Sequence, residues 1–177
     1  MTALDAWLTP ARWPWAAGLF AAAMLAAAHA FERFGGYQPC TLCLRQREVY
    51  WAILAGVAAW AALGALRPGL RRSRLVLWAV AAAFLLSSGV AAYHAGVEWR
   101  WWPGPSGCAA VGGAVTGDSL AAALSGETPI RAPACDEAAW VFAGLSMAGW
   151  NALASLAMAG LTLLAALQPR RWRPVHA

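Results

Sequence analysis

The stretch LVLWAVAAAFLLSSGVAAY, residues 75–93, contains no charged side chain. Three further runs are similarly apolar: residues 13–31, in which His29 is ionisable, residues 49–66 and residues 145–167. A hydrocarbon core of about 30 Å is crossed by roughly 20 helical residues, with a range of about 17–25. Each of the four runs is therefore long enough to span a lipid bilayer.

The composition of these runs favours helices over strands. They are rich in Ala, a strong helix former, and Gly is interspersed, which lets neighbouring helices approach closely in lipid. A membrane barrel would require short segments of alternating polarity, and the sequence has none. We therefore predict an all-α integral membrane protein, a four-transmembrane-helix bundle.

Four spanning runs in 177 residues leave no room for a separate soluble domain. We predict a single membrane domain over residues 1–177, with helices at about 13–31, 39–66, 75–93 and 145–167. The first run has a second interpretation, because Ala28-His29-Ala30 resembles a signal-peptidase site. The run exceeds the usual length of about 7–15 residues and a basic segment does not precede it, so we favour a retained helix.

The net charge of +5 is unevenly distributed along the chain. All thirteen basic residues are arginines, and seven lie in two short segments that contain no acid: Arg67, Arg71, Arg72, Arg74, Arg170, Arg171 and Arg173. Basic clusters beside spanning helices mark the cytoplasmic side of a membrane, and this pattern argues against a nucleic-acid partner. Both termini are then cytoplasmic, and the loops at about 32–48 and 94–144 face outward.

All four cysteines lie in these two outward loops. The first loop contains Cys40 and Cys43, and the second contains Cys108 and Cys135. Cysteines that merely fill space favour buried apolar positions, which these runs would offer. An even number of cysteines on one side of a membrane instead predicts disulfide chemistry in an oxidising compartment such as a periplasm.

The segment QPCTLC, residues 38–43, lies just before the second apolar run. Pro39 suits the first turn of a helix, so we predict that the helix begins near residue 39 with both cysteines in its first turn. Cys40 and Cys43 then share one face, where free N–H groups and the helix dipole stabilise a thiolate. A disulfide closing so small a loop adds little stability, which favours a redox-active pair over a structural one.

Other uses of a CxxC motif fit less well. A c-type haem site needs His directly after the second cysteine, and this chain has Leu44. Four thiolates are a possible zinc site, but the second pair does not form another CxxC, so we predict no metal site. A thioredoxin-like domain needs a βαβ unit, and no segment alternates in polarity as a strand does.

The residues alone leave two questions open. Cys108 and Cys135 bracket a segment rich in Gly and Ala, with a weakly amphipathic turn at about 118–124, and form either a structural staple or a second redox pair. Arg47 lies one turn after Cys43, where it either extends to the membrane surface or stabilises a nearby negative charge.

The sequence QPCTLCLRQR, residues 38–47, closely resembles the QPCxLCxxQR signature of the disulfide bond formation protein B family. The resemblance extends to four spanning helices, a second outer cysteine pair, Tyr93-His94, Leu145-Ser146-Met147 and Trp150-Asn151, and so covers nearly the whole chain. It implies a quinone-dependent thiol–disulfide oxidoreductase with two redox-active outer loops. Such an enzyme reoxidises a periplasmic thioredoxin-fold dithiol oxidase (DsbA-like) and passes electrons to ubiquinone or menaquinone in the membrane.

The resemblance also implies roles for individual residues. Cys40, Cys43, Cys108 and Cys135 would be catalytic, with Cys108 and Cys135 forming the disulfide that the partner attacks at Cys108. Cys135 would then engage Cys40, and the Cys43 thiolate would donate to quinone. Arg47 and His94 would join Cys43 in binding quinone.

The implied location is the bacterial inner membrane, with the cysteine loops in the periplasm and the lipid bilayer and its quinone pool as partners. The competing hypothesis is a non-catalytic four-helix membrane scaffold with structural disulfides. The CxxC at a helix start, followed one turn later by Arg47, favours the enzyme.

Overall fold

The computed structural model describes residues 8–105, 125 and 135–167. It contains four long helices: α1 (Trp13–Gly35), α2 (Thr41–Leu66), α3 (Arg74–Glu98) and α4 (Met147–Leu167). Each is long and apolar enough to cross a membrane. The predicted four-helix membrane fold is therefore confirmed.

The helices extend beyond the apolar runs at their polar ends. The first continues past residue 31 to Gly35, where Gly36 closes it in the left-handed conformation at φ 69°. The third continues past residue 93 to Glu98. These extensions carry Glu32, His94 and Glu98 on rigid helical turns, because backbone hydrogen bonding continues where hydropathy falls.

The second helix begins later than predicted. Cys40, in an extended conformation, is its N-cap residue, and Thr41 is the first helical residue. Pro39 therefore precedes the cap instead of occupying the first turn. The reason is that the Cys40 sulfur accepts the backbone N–H of Cys43, a capping bond that is open only to a residue outside the helix.

The bundle has an apolar core of mainly small and aromatic side chains. Phe84 of α3 is fully buried and makes edge-on contacts with Phe20 of α1 and Tyr50 of α2. At Gly18 an added Cβ would lie 3.2 Å from Val57 Cγ1, so the glycine permits a close approach of α1 and α2. The most extensive helix contact is that of α3 with α4.

Polar and apolar residues are distributed as expected for a bundle surrounded by lipid. Large apolar side chains such as Leu19, Leu66 and Leu75 lie on the outside, whereas most of the uncharged polar side chains of the described helices are buried. The buried polar residues are Gln46, Ser87, His94, Ser146, Asn151, Ser155 and Thr162. Intramembrane polar side chains usually face the bundle interior, because lipid offers them no hydrogen bonds.

A small antiparallel hairpin precedes α4 and departs from the all-helical expectation. Its strands are β1 (Val141–Phe142) and β2 (Leu145–Ser146), and Val141 pairs with Ser146. Ala143 and Gly144 both have positive φ, at 51° and 81°, as a two-residue type I′ turn requires. The predicted fourth helix thus loses residues 145 and 146, and the Ser146 hydroxyl caps α4 by accepting the N–H of Gly149 at 3.1 Å.

Candidate functional site

Cys40 and Cys43 lie at the start of α2 as a pair of free thiols. Their Sγ atoms are 3.0 Å apart, within hydrogen-bond distance, and the Cys43 backbone N–H donates to Cys40 Sγ at 3.3 Å. Cys40 is 4% exposed, whereas Cys43 is partly exposed. The pair can close to a disulfide with a small movement of one side chain, which suits a redox-active dithiol.

His94 on α3 lies against Cys40, although 54 positions separate the two residues. Its Nε2 is 3.5 Å from Cys40 Sγ, and its side chain is buried. The resemblance assigned His94 to a quinone pocket without placing it at a cysteine. This contact depends on the packing of α3 against α2, which no local sequence pattern reveals.

The surroundings of Cys40 favour its thiolate. The hydrogen bond with the Cys43 thiol contributes most, and the His94 ring and the capping N–H of Cys43 act in the same direction against the cost of burial. Together they lower the pKa of Cys40 to about 4 from its ordinary value of 9.0. A sulfur that carries charge at neutral pH is both a populated nucleophile and a good leaving group.

Cys135, which precedes the hairpin, lies at the same place. It is 1% exposed, and it packs in one cluster with Cys40, Leu42 and Val97. Its sulfur is 3.4 Å from the Thr41 hydroxyl, next to the dithiol. Cys135 is disulfide-bonded, whereas Cys40 and Cys43 are not.

Two of the expectations fall outside the part of the chain that the structure describes. Cys108 lies there, and so does the amphipathic turn expected at about 118–124. The pairing of Cys108 with Cys135 therefore stays a prediction.

Arg47 lies one turn after Cys43 and does not extend into solvent. Its side chain is 14% exposed, and Nη1 donates to Glu32 Oε2 at 2.5 Å. Nη2 donates to the carbonyl oxygen of Ala28 at 3.4 Å. Glu32 on α1 was not singled out in the sequence, because its pairing with Arg47 depends on the packing of α1 against α2.

A cavity of about 440 Å³ opens beside the dithiol. Its polar lining includes Cys43, Gln46, Arg47 and His94, and most of the remaining wall is apolar, from residues such as Met24, Phe31, Trp140 and Met147. A volume of this size is typical of small-molecule sites that bury an apolar ligand and orient it with a few polar groups. The lining fits a quinone ring, with the Arg47 guanidinium as a donor for a carbonyl oxygen and Cys43 as the adjacent thiol.

Glu98 was not identified from the sequence either. Its side chain is 6% exposed, Oε1 lies 3.8 Å from His94 Nε2, and Oε2 accepts the hydroxyl of Ser146. The carboxyl group therefore links the end of α3 to the cap of α4 directly beside the imidazole of His94.

The dithiol geometry bears on metal binding. The sulfur atoms of Cys40 and Cys43 and a ring nitrogen of His94 lie within 4.8 Å of one another. Two thiolates on a tetrahedral Zn²⁺, with Zn–S bonds of about 2.3 Å, would lie about 3.8 Å apart. The separation of 3.0 Å therefore favours a hydrogen-bonded dithiol, and the expectation of no metal site stays a prediction.

Comparison with known proteins identifies the family of this chain. The family model described as "Disulfide bond formation protein DsbB" matches residues 10–165. A curated relative from Methylococcus capsulatus (strain ATCC 33009 / NCIMB 11132 / Bath), named disulfide bond formation protein B, is 34% identical over 148 residues, which cover 82% of this chain and 87% of the relative. No solved structure matches. With the family model spanning most of the chain and a dithiol at the start of the second spanning helix, the chain belongs to the DsbB family of disulfide-generating membrane oxidoreductases.

Proposed function

We propose that the protein reoxidises a periplasmic thioredoxin-fold dithiol oxidase (DsbA-like) and passes the electrons to ubiquinone or menaquinone. The observation that carries this proposal is the meeting of three cysteines beside one apolar cavity. Cys135 of the second outer loop packs against Cys40, and Cys43 and Arg47 line the cavity. A purely structural disulfide at Cys135 would not need to lie so close to a free dithiol.

The cysteines support a sequence of thiol–disulfide exchanges. A partner thiolate attacks Cys108 of a Cys108–Cys135 disulfide, forms a mixed disulfide and releases the Cys135 thiolate. Cys135 attacks Cys40 of a Cys40–Cys43 disulfide, forms a Cys40–Cys135 bond and releases the Cys43 thiolate. The contact of Cys135 with the start of α2 supports this second step.

The remaining exchanges restore the outer disulfide. The partner's second thiolate resolves its mixed disulfide and releases Cys108. Cys108 then attacks Cys135, forms Cys108–Cys135 and releases the Cys40 thiolate, so the partner's two electrons now reside on reduced Cys40 and Cys43. The low pKa of Cys40 makes it a good leaving group in this step.

Re-forming the Cys40–Cys43 disulfide releases two electrons and two protons, and a quinone held in the cavity would supply the acceptor for them. Both cysteines of the dithiol line the cavity together with Arg47, and Cys43 is the more exposed of the two. Arg47 orients the acceptor and favours negative charge on its oxygen. The apolar wall, which includes Phe31 and Trp140, excludes water from the exchange.

The residues at the two ends of the bundle support a cellular location and an orientation in the membrane. The cysteines lie at the start of α2, and the arginine-rich connection after Leu66 lies at the opposite end of the same helix. Basic connections stay in the cytoplasm, so we place the cysteines in the periplasm and the protein in a bacterial inner membrane.

The direct test of this function is turnover. Purified protein in detergent receives a reduced thioredoxin-fold oxidase and either ubiquinone or menaquinone, and quinone reduction is followed spectroscopically. We expect catalytic reduction by the wild type and none by Cys43→Ser. Folded wild type with intact disulfides that reduces neither quinone would instead support the stapled scaffold.

A further inference from the structure

A chain of buried polar side chains lies behind the dithiol, between α2, α3 and α4. It comprises His94, Gln46, Asn151, Tyr50, Ser155 and Ser87, each at most 7% exposed. Buried polar groups in a spanning bundle are costly unless they are hydrogen-bonded, and every one of these has a partner within the chain. The directions of these hydrogen bonds determine which nitrogen of His94 carries its proton.

The orientation of the Gln46 amide follows from a backbone carbonyl. Gln46 Nε2 lies 3.4 Å from the oxygen of Leu42, which can only accept a hydrogen bond. The amide nitrogen must therefore face Leu42, and the amide oxygen faces α4. There Gln46 Oε1 accepts from Asn151 Nδ2 at 2.6 Å.

The orientation of the Asn151 amide follows from that of Gln46. Because its nitrogen donates to Gln46, its Oδ1 faces away and accepts the hydroxyl of Tyr50. The Ser155 hydroxyl also donates to Oδ1, at 3.3 Å. In this orientation the amide nitrogen has an acceptor and the amide oxygen has two hydroxyl donors, so Asn151 is compatible with the Gln46 orientation that the Leu42 carbonyl sets.

The oriented Gln46 amide in turn selects a tautomer of the neutral imidazole. Gln46 Nε2 lies 2.7 Å from His94 Nδ1, and since the amide nitrogen donates, Nδ1 must accept. The ring proton of the neutral imidazole then resides on Nε2. That nitrogen is the one that faces Cys40 Sγ at 3.5 Å.

We propose that Gln46, Asn151 and Tyr50 are positioning residues that hold His94 in the Nε2–H tautomer, so that the imidazole donates a hydrogen bond to the Cys40 sulfur. In the other tautomer, an unprotonated Nε2 would face the thiolate and the Nδ1 proton would face the amide N–H. This positioning role rests on the proposed function only in so far as thiol–disulfide exchange uses the Cys40 thiolate. Its tests are made on the reduced protein without a partner or quinone.

Several other groups surround Cys40 and contribute to its titration. They are Cys43 on α2, His94 and Glu98 on α3 and Cys135 before α4, with Arg47 and Glu32 beyond Cys43. The proposed substitutions alter none of the ionisable groups in this set except His94. A change in the Cys40 profile of the Gln46 or Asn151 variants is therefore traceable to the amide chain.

The tautomer can be measured directly. In reduced protein labelled with ¹⁵N in its histidine rings, the nitrogen shifts identify the protonated ring atom, and His94→Gln assigns the signals. We expect the Nε2–H form in the wild type and a loss of this preference in Gln46→Met. A wild-type ring protonated on Nδ1 would overturn the proposal.

The consequence for Cys40 has a separate readout. The alkylation rate of Cys40 by iodoacetamide is measured against pH in reduced full-length protein, with tandem mass spectrometry separating Cys40 from Cys43. Because a hydrogen bond to a charged group contributes about one pKa unit or more, Gln46→Met and Asn151→Leu should move the midpoint of the Cys40 alkylation profile upward by about one pH unit, which slows alkylation at pH 5 by about twofold.

Conservative and remote variants separate positioning from general damage. His94→Gln retains an N–H near the Nε2 position and should keep most of the wild-type rate, whereas His94→Asn places its amide near Nδ1 and should not. Thr162→Val removes a buried hydrogen bond to Trp13 in the same bundle and should leave the profile unchanged.

The outcomes also separate this proposal from the proposed function. Unchanged alkylation in Gln46→Met and Asn151→Leu, with folding confirmed by circular dichroism, would overturn the positioning role. An Nε2–H tautomer in a protein that reduces no quinone would retain the positioning role and reject the function.

Discussion

Arg47 carries a positive charge into a mostly buried position by pairing with Glu32 on the neighbouring helix. It lies four positions after Cys43, so the two side chains lie on the same face of α2 and line one cavity. A guanidinium held in place by a carboxylate is preorganised to donate to an oxygen that gains charge.

We expect Arg47→Met to raise the KM for quinone by about tenfold or more, because a charge-assisted hydrogen bond contributes about 1.5–3 kcal/mol. The measurement is the initial rate of quinone reduction as quinone is varied at saturating reduced partner. Arg45→Met is the matched control, since Arg45 lies on the same helix but is exposed and forms its salt bridge with Glu48. Equal KM values in the two variants would exclude a quinone-binding role for Arg47.

Cys40 also makes the stability of the reduced protein dependent on pH. Its pKa is about 4 in the folded protein and near 9.0 when unperturbed, so the unfolded state binds the proton more tightly. The stabilisation by its thiolate is complete above pH 9 and is lost as pH falls towards 4.

We therefore expect the thermal midpoint of the reduced protein to fall, between pH 9 and pH 4, by more than that of the protein with a Cys40–Cys43 disulfide. Both redox forms contain the same other titrating groups. The contributions of those groups to the pH dependence therefore largely cancel when the two forms are compared in the same detergent. Parallel pH curves for the two redox forms would contradict a low pKa for Cys40.

At the scale of single elements, the hairpin before α4 sets the position of Ser146. The hydroxyl of Ser146 caps α4 and donates to Glu98, so the hairpin connects α4 to the end of α3 beside His94. Its turn requires two consecutive positive φ angles, and only Gly144 adopts one without a steric cost.

We expect Gly144→Val to destabilise the protein by about 1–2 kcal/mol, because a side chain at positive φ is strained. Ala143→Gly is the paired control and should stabilise or be neutral, since Ala143 already has φ 51°. Thermal unfolding in detergent measures both. Equal midpoints for Gly144→Val and the wild type would show that the turn does not require this conformation.

The helices differ in how far the sequence predicts them. Hydropathy identifies the spans, but it stops at the first charged residues, whereas helical hydrogen bonding continues through them. The third helix is the clearest case, because the predicted end at residue 93 would leave His94 and Glu98 in a loop. Their helical placement is what directs both side chains towards the cysteines.

The residues of the site also differ in how far the sequence predicts them. The local motif predicts Cys40, Cys43 and Arg47 on one side of α2, because their spacing is set by a single helix. The contacts of His94 with Cys40 and of Glu32 with Arg47 join residues on different helices. Such contacts depend on how the helices pack against one another, and no local spacing pattern in the sequence predicts them.

For the whole molecule, the distribution of charge predicts its orientation in the membrane. The cysteine end has charges of both signs, whereas the connection between α2 and α3 contains arginines and no acid. Phe34, at the cysteine end of α1, and Gly69, in the arginine-rich connection, are both exposed and mark the two sides.

We expect a membrane-impermeant maleimide to label Phe34→Cys but not Gly69→Cys in spheroplasts, in a background in which the native cysteines are serines. Permeabilised cells should label both variants, which controls for local accessibility. Labelling of Gly69→Cys in intact spheroplasts would reverse the proposed topology.

The central claim is that electrons pass from the protein's own cysteines to quinone, and a single-turnover reaction without a partner tests it most directly. Fully reduced protein is mixed with excess ubiquinone or menaquinone in the absence of oxygen, and quinol and disulfides are counted together. We predict about two quinones reduced per protein, one for each disulfide formed, and none by Cys43→Ser. Quinone that stays oxidised beside folded, reduced wild-type protein would contradict the account.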